Sequence, residues 1–206
     1  MDVKDNEAPR TKAAQREATV AALIGAARVL FAEKGYAGVG TEEIVQRAGV
    51  TRGALYHHFK GGKEDLFHAV LVQVSAETTQ RVLAKADAAG DPWETLMVGV
   101  DAFLDASAIP EVQRIMLIDG PSVLGWDVWR AADGEFALTA MQQVLQHAMD
   151  TGRMVSQPAR PLAHVLLGAI DEAAMVVARS EDPEAARAEM GRTVHRLLEG
   201  LRGPVP

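Results

Sequence analysis

Nineteen consecutive residues, Thr41 to Phe59 (TEEIVQRAGVTRGALYHHF), constrain this chain more than any other feature. They read as two short helices joined by a tight turn. Ile44, Val45 and Ala48 fall on one face at 3.6 residues per turn, with Glu42, Glu43, Gln46 and Arg47 opposite. Gly49 follows at once, and a glycine just past a helix end takes the left-handed conformation at least cost. Thr51 is the expected N-cap of the second helix. Stepping about 100° per residue places Thr51, Ala54, Leu55 and His58 on one side of that helix. The same stepping places Arg52, Gly53, Tyr56 and His57 on the other. An aliphatic face turned inward and a basic, aromatic, hydrogen-bonding face turned outward suit a helix that enters the DNA major groove.

The formal charge of −7 fits poorly with a polyanionic partner until it is divided along the chain. Residues 10–63 carry nine Lys or Arg against four Glu, a net of +5, whereas residues 64–206 carry eleven against twenty-one acids, a net of −10. A basic head on an acidic body steers the head toward nucleic acid. With no cysteine in 206 residues, disulfides, thiolate metal sites and cysteine nucleophiles are excluded. No apolar run reaches the ~18–20 residues of a membrane span, and the polar start is not a signal peptide, so a cytoplasmic protein is expected.

The rest of the chain reads as helices throughout. A first helix over 12–34 buries Val20, Leu23, Ile24, Ala27, Leu30 and Phe31, and a fourth, after Gly61–Gly62, buries Leu66, Phe67, Val70, Leu71 and Val74. Asp91 caps a fifth with Pro92 at its first position. Pro110 opens a sixth, which Asp119–Gly120–Pro121 closes, and a seventh spans 125–150. An eighth over 160–179 is apolar nearly all round, and a ninth follows Asp182–Pro183. The expected fold is all-α, with a three-helix head over 1–61, its first eleven residues a disordered polar tail, and a larger helical body over 62–206. Gly62–Lys63 is no phosphate loop, because Glu64 stands where Ser or Thr is required. His57 and His58 point to different faces, and His147, His164 and His195 lack metal-ligand spacing, so neither a metal, a cofactor nor an enzyme is expected.

Gly35–Tyr36–Ala37–Gly38, then Gly49 through Phe59, then Lys63–Glu64–Asp65–Leu66–Phe67 closely resemble the TetR family of bacterial transcription regulators. The match covers roughly residues 16–70. Gly40 stands where Ser or Thr is more usual, although glycine is an acceptable N-cap. Three residues separate Phe59 from Lys63, where two is the commoner spacing. The resemblance implies DNA contacts from Thr41, Thr51, Arg52, Gly53, Tyr56, His57 and Lys63. Of these, Arg52 has the geometry to grip guanine O6 and N7 or to pin a phosphate. Tyr56 reaches a phosphate or a base edge, or packs its ring across the turn, and side-chain-free Gly53 lets the backbone approach a base. Thr41 and Lys63 are expected on phosphates, Lys63 at a helix N-terminus that favours anions.

The same resemblance implies a body that dimerises and binds an effector, making the chain a homodimeric repressor released by a small, largely apolar ligand. The eighth and ninth helices of two copies would form a four-helix interface. Their twofold axis demands a near-palindromic operator, with half-sites about 34–36 Å apart or somewhat further. Met97, Phe103, Met116, Trp126, Trp129, Met141 and Met175 are residues of the kind that line apolar cavities, with Asp101, His164 and Asp171 as polar anchors. A methionine-filled core is the alternative for each of them. The competing functional reading keeps the DNA-binding head but gives the acidic body a protein partner and no ligand.

Overall fold

The computed structural model describes residues 11–203, less the side chains of 133–136. All but the last residue of the polar tail expected over 1–11 lies outside that range. Helix follows helix: α1 (Lys12–Lys34), α2 (Thr41–Ala48), α3 (Arg52–His58), α4 (Lys63–Asp87), α5 (Pro92–Ser107) and α6 (Pro110–Val112). A π-helical stretch, Gln113–Asp119, leads into α7 (Gly120–Leu124), then α8 (Trp126–Asp150), α9 (Ala159–Arg179) and α10 (Pro183–Glu199). Among the described residues the one extended pairing is an antiparallel bridge between Met154 and Arg202. The fold is all-α.

Two compact units divide the chain, one ending at Val70 and the other starting at Leu71. In the first, the Thr11 hydroxyl accepts the Ala14 N–H at 3.2 Å and starts α1. The helix buries Leu23, Ala26, Ala27, Leu30 and Phe31. Ile44 and Val45 of α2, Leu55 of α3 and Leu66, Phe67 and Val70 of α4 complete this core. Removing each of the larger of these side chains from water contributes about 1.5–3 kcal/mol. Phe31, Tyr36 and Phe67 meet at ring-centroid distances of 5.1–5.7 Å, the two pairs made by Phe67 edge-on, which is the favoured aromatic geometry.

In the second unit α9 packs against α5, α8 and α10. Its buried face follows from that position, with Ala163, Leu166, Ile170, Ala173, Ala174 and Val177 all buried, whereas Val165 and Val176 are exposed. By length and mean hydropathy (1.5) α9 could cross a membrane, contrary to the expectation that no segment is long and apolar enough. Its buried contacts on three neighbouring helices mark it as a core helix. Asp91 caps α5 as expected, its Oδ1 accepting the N–H groups of Trp93 at 3.0 Å and Glu94 at 3.2 Å. Asp182 does the same for α10 through Ala185 at 3.0 Å.

One expected boundary is overturned. Asp119–Gly120–Pro121 does not close the sixth helix, because Gly120 and Pro121 open α7 directly out of the π-helical stretch. Proline is tolerated in the first turn of a helical segment, where an N–H has no partner in any case.

Candidate nucleic-acid interface and ligand cavity

The turn between α2 and α3 is built by Gly49 at φ 68°, a conformation in which any Cβ is strained. The N–H of Gly49 donates to Gln46 at 3.2 Å and that of Val50 to Val45 at 3.0 Å, closing α2. Thr51 then caps α3, its hydroxyl accepting from Ala54 N–H at 3.2 Å. With Leu55 fully buried beneath it, α3 presents Thr51, Arg52, Gly53, Tyr56 and His57 to solvent. Thr51, placed by periodicity on the inner side, is exposed because a cap residue stands outside the helical turn.

The outward face is already ordered. Arg52 Nη1 donates to Glu42 Oε1 at 2.9 Å, and its guanidinium lies 5.7 Å from the centre of the Tyr56 ring. Hydrogen bonding to Tyr56, and then to Glu42, raises the Arg52 pKa further, so the side chain is a permanent cation. The Tyr56 ring packs on Gly62, where an added Cβ would stand 2.9 Å from Cε1, while 40% of the residue remains exposed. Turn packing and exposure to solvent therefore coexist. A Cβ on Gly53 would meet only the Thr51 hydroxyl, at 3.8 Å, so that glycine leaves open surface. His58 is half-buried. Its desolvation, reinforced by His57, Arg16 and Lys60, lowers its pKa.

Thr41 is half-buried in the first turn of α2. Lys63 opens α4 as expected, and its side chain engages the chain itself. Its ammonium donates to the carbonyls of Tyr36 at 3.0 Å and Val39 at 2.9 Å, and lies 3.9 Å from the Tyr36 ring centre. Nearby, the Asp65 carboxylate accepts the Gly61 N–H at 2.6 Å. The start of α4 is thus served by the chain's own anion, and Lys63 is turned toward the α1–α2 connection, whose carbonyls lack helical partners.

The second unit holds a cavity of about 370 Å³, walled by α4, α5, α8 and α9. Val82, Leu83, Leu96, Val100, Phe103, Leu138, Met141, Val144, Leu167 and Ile170 make most of the wall. Its polar lining comes from Thr79, Thr95, Arg130, His164 and Asp171. Arg130 Nη1 donates to Asp171, whose carboxylate is buried. His164 is exposed to solvent as well as lining the cavity.

Of the ten residues expected to surround a ligand, Phe103, Met141, His164 and Asp171 line this cavity. The other six stand elsewhere. Trp129 is buried, its indole N–H donating to the Met116 carbonyl at 2.8 Å, and Met116 is itself buried. Trp126 is 57% exposed, its ring centre 5.1 Å from that of Trp129. Asp101 is taken by α10, with Arg187 at 2.9 Å and His195 at 3.2 Å. Met97 is half-buried on α5 and Met175 is buried in α9, neither of them in the wall. Composition marked these residues as cavity formers, but the direction of each side chain from its helix decides which wall it joins. Arg130 was missed because its partner lies 41 residues away. Among the described residues no group of three or more His, Cys, Asp or Glu side chains could hold a metal ion.

Residues 23–70 match the family described as bacterial regulatory proteins, tetR family, and residues 93–201 match the tetracyclin repressor-like C-terminal domain. The HTH-type transcriptional regulator SrpR of Pseudomonas putida is 31% identical over 150 residues, 70% of this chain and 68% of its own length. A crystal structure of a TetR-family transcriptional regulator from Pectobacterium atrosepticum superposes with a TM-score of 0.84 at 36% identity, covering 96% of this chain and all of that one. RolR, solved in complex with resorcinol, shares the fold at 21% identity and a TM-score of 0.71, covering 95% of this chain and 98% of its own. The chain belongs to the TetR family of DNA-binding transcriptional regulators.

Proposed function

We propose that the protein is a cytoplasmic, homodimeric repressor that holds a near-palindromic operator and is released from it by a small, largely apolar ligand. The observation that carries the reading is the contiguous exposed face of α3, Arg52, Gly53, Tyr56 and His57. Arg52 is its guanine or phosphate contact, with Tyr56 and His57 beside it, Thr51 at the helix start and Thr41 on the flanking backbone. Lys63 supports this surface by fixing the α1–α2 connection and makes no phosphate contact of its own.

Dimerisation is assigned to α9 and α10. Val165 (68% exposed) and Val176 (40%) lie on one stripe of α9 with half-buried Ala169 between them, and Leu197 (57%) is exposed on α10. Exposed aliphatic groups in such a row are what a second copy would cover. The cavity supports a ligand, and RolR in complex with resorcinol is a precedent for a small molecule bound by a protein of this fold. Release then requires a ligand that prefers the conformation unable to bind DNA, and a tenfold effect needs about 1.4 kcal/mol of preference.

The test is selection of binding sites from a random duplex pool at near-physiological salt, repeated with Arg52→Ala. An inverted repeat that the variant no longer prefers is expected. Recovery of only salt-sensitive, sequence-independent binding would overturn the reading. Light scattering gives the second check: a stable monomer of 22.1 kDa would rule out the dimer.

A further inference from the structure

In a helix, a Ser or Thr hydroxyl reaches the carbonyl four residues back, and the helices of the second unit use that bond repeatedly. Thr78, Ser107, Ser122 and Thr193 donate to Val74, Phe103, Ile118 and Glu189 at 2.8–3.0 Å. Ser75 and Thr139 are engaged as well. Thr79 of α4 and Thr95 of α5 differ. Among the described residues neither hydroxyl has a hydrogen-bond partner, and both threonines line the cavity. On α4, Thr79 shares a stripe with Val82, Leu83 and Ala86, and on α5 Thr95 shares one with Gly99 and Phe103, all of them in the wall. Such spacings of three, four, seven and eight residues make one helical face. Neither oxygen is sealed off: among the described residues the one enclosed and unpartnered side-chain polar atom is Nε2 of His195.

We propose that Thr79 and Thr95 are the hydrogen-bonding contacts that select the ligand, and that the ligand is an apolar molecule carrying an oxygen function, of which an alcohol and a ketone are the simplest. This deepens the ligand reading above and rests on it. A threonine hydroxyl donates one hydrogen bond and accepts two, so it serves a ligand hydroxyl or a ligand carbonyl alike. Valine would fill the same space without placing an unmet hydroxyl in a largely aliphatic wall, where it is costly. What the hydroxyl adds at these two positions is a bond to an occupant. Because neither is committed to its own helix, a ligand gains that bond without breaking one inside the protein. The neighbour Thr78 shows the alternative: it is buried, and its hydroxyl is spent on Val74. A volume of about 370 Å³ is near the lower end of ligand pockets and suits a small ring system or short chain.

The experiment uses the full-length protein and two probe sets matched in heavy-atom count. One is heptane, 1-hexanol and 2-hexanone; the other is 2-methylnaphthalene and 2-naphthol. Affinity is read by calorimetric titration and by thermal shift, for the wild type and for Thr79→Val combined with Thr95→Val. In at least one set the valine variant is expected to bind the oxygenated probes about tenfold or more weakly, because their oxygen then lies unpaired in the cavity. It should bind the hydrocarbon as well as the wild type does. Its Tm without probe should be unchanged or raised, since no internal bond is lost. Thr79→Ser combined with Thr95→Ser keeps both hydroxyls and should retain the oxygenated probes. Oxygenated probes that bind the valine variant as before, that weaken together with the hydrocarbon, or that are lost in the serine variant too, overturn the assignment of the threonines but leave a ligand site standing. If no probe of either set binds the wild type, the ligand reading itself falls and the assignment falls with it.

Discussion

Gly120 lies against Trp129 so closely that a Cβ would stand 2.7 Å from the indole Cδ1 and 3.0 Å from its Nε1, with Leu71 Cδ1 at 2.8 Å. The approach lets the indole N–H reach the Met116 carbonyl at 2.8 Å. In a π-helical register that carbonyl would be served by the N–H of the residue five further on, which is Pro121 and has none. Trp129 therefore takes the place of a backbone donor where the π-helical stretch gives way to α7. Trp129→Phe should cost about 1–3 kcal/mol by orphaning a buried acceptor, beyond any loss of packing. Pro121→Ala supplies an N–H, so the cost of Trp129→Phe should shrink in that background. A double-mutant cycle by chemical denaturation checks this, and additive effects of the two changes would refute it. Gly120→Ala should destabilise more than either, since the ring and Leu71 must both move.

Lys63 is predicted to hold the head together without gripping DNA. Its charge-assisted bonds to the Tyr36 and Val39 carbonyls are worth about 1–2 kcal/mol at a half-buried position. Lys63→Met should therefore lower Tm by a few degrees, at about 2–4 °C per kcal/mol for a chain of this size. The slope of log affinity against log salt should stay unchanged. A slope reduced by about 0.9 would mean that Lys63 neutralises a phosphate after all.

Arg52 and Glu42 form an exposed ion pair, with side chains 61% and 72% accessible, so breaking it should alter stability by less than about 1 kcal/mol. Glu42→Gln removes a competitor for the guanidinium and should tighten operator binding. Arg52→Ala should weaken binding to the preferred site by about 1–3 kcal/mol and relax base choice at one position in each half-site. Competition assays against single-base variants of the operator distinguish this from a phosphate contact, which would weaken all sequences alike.

The head was legible from sequence because its signals are local. Gly49, Thr51 and the stepping of Ile44, Val45 and Leu55 fix a turn and two faces within nineteen residues. Asp91 was readable as a cap, and Asp182–Pro183 as a helix start, for the same reason: each aspartate bonds N–H groups two or three residues on. The body's cavity was not readable, because its geometry is decided by which way side chains leave α4, α5, α8 and α9. Arg130 gives no local sign that it meets Asp171. Trp126 and Trp129, three residues apart, look like one stripe and end as an exposed ring and a buried one. The partners of Lys63 were not legible for a related reason: the two carbonyls it bonds lie 24 and 27 residues earlier.

Asp91 should couple the start of α5 to pH. Burial opposes its ionisation, but the Glu94 and Trp93 N–H groups and then Arg153, whose Nη2 lies 2.8 Å from Oδ2, hold the carboxyl below its ordinary value of 3.8. A carboxyl depressed on folding binds fewer protons in the native state than in the unfolded one. Its stabilisation is therefore complete above the unfolded pKa and is lost as pH falls through the lower folded value. Thermal melts should show the wild type losing stability below about pH 4, with Asp91→Asn less sensitive over that window and less stable than the wild type at pH 7. The asparagine can still cap the helix but cannot pair with Arg153. An acid limb of the same steepness in both proteins would show that Asp91 takes no part in it.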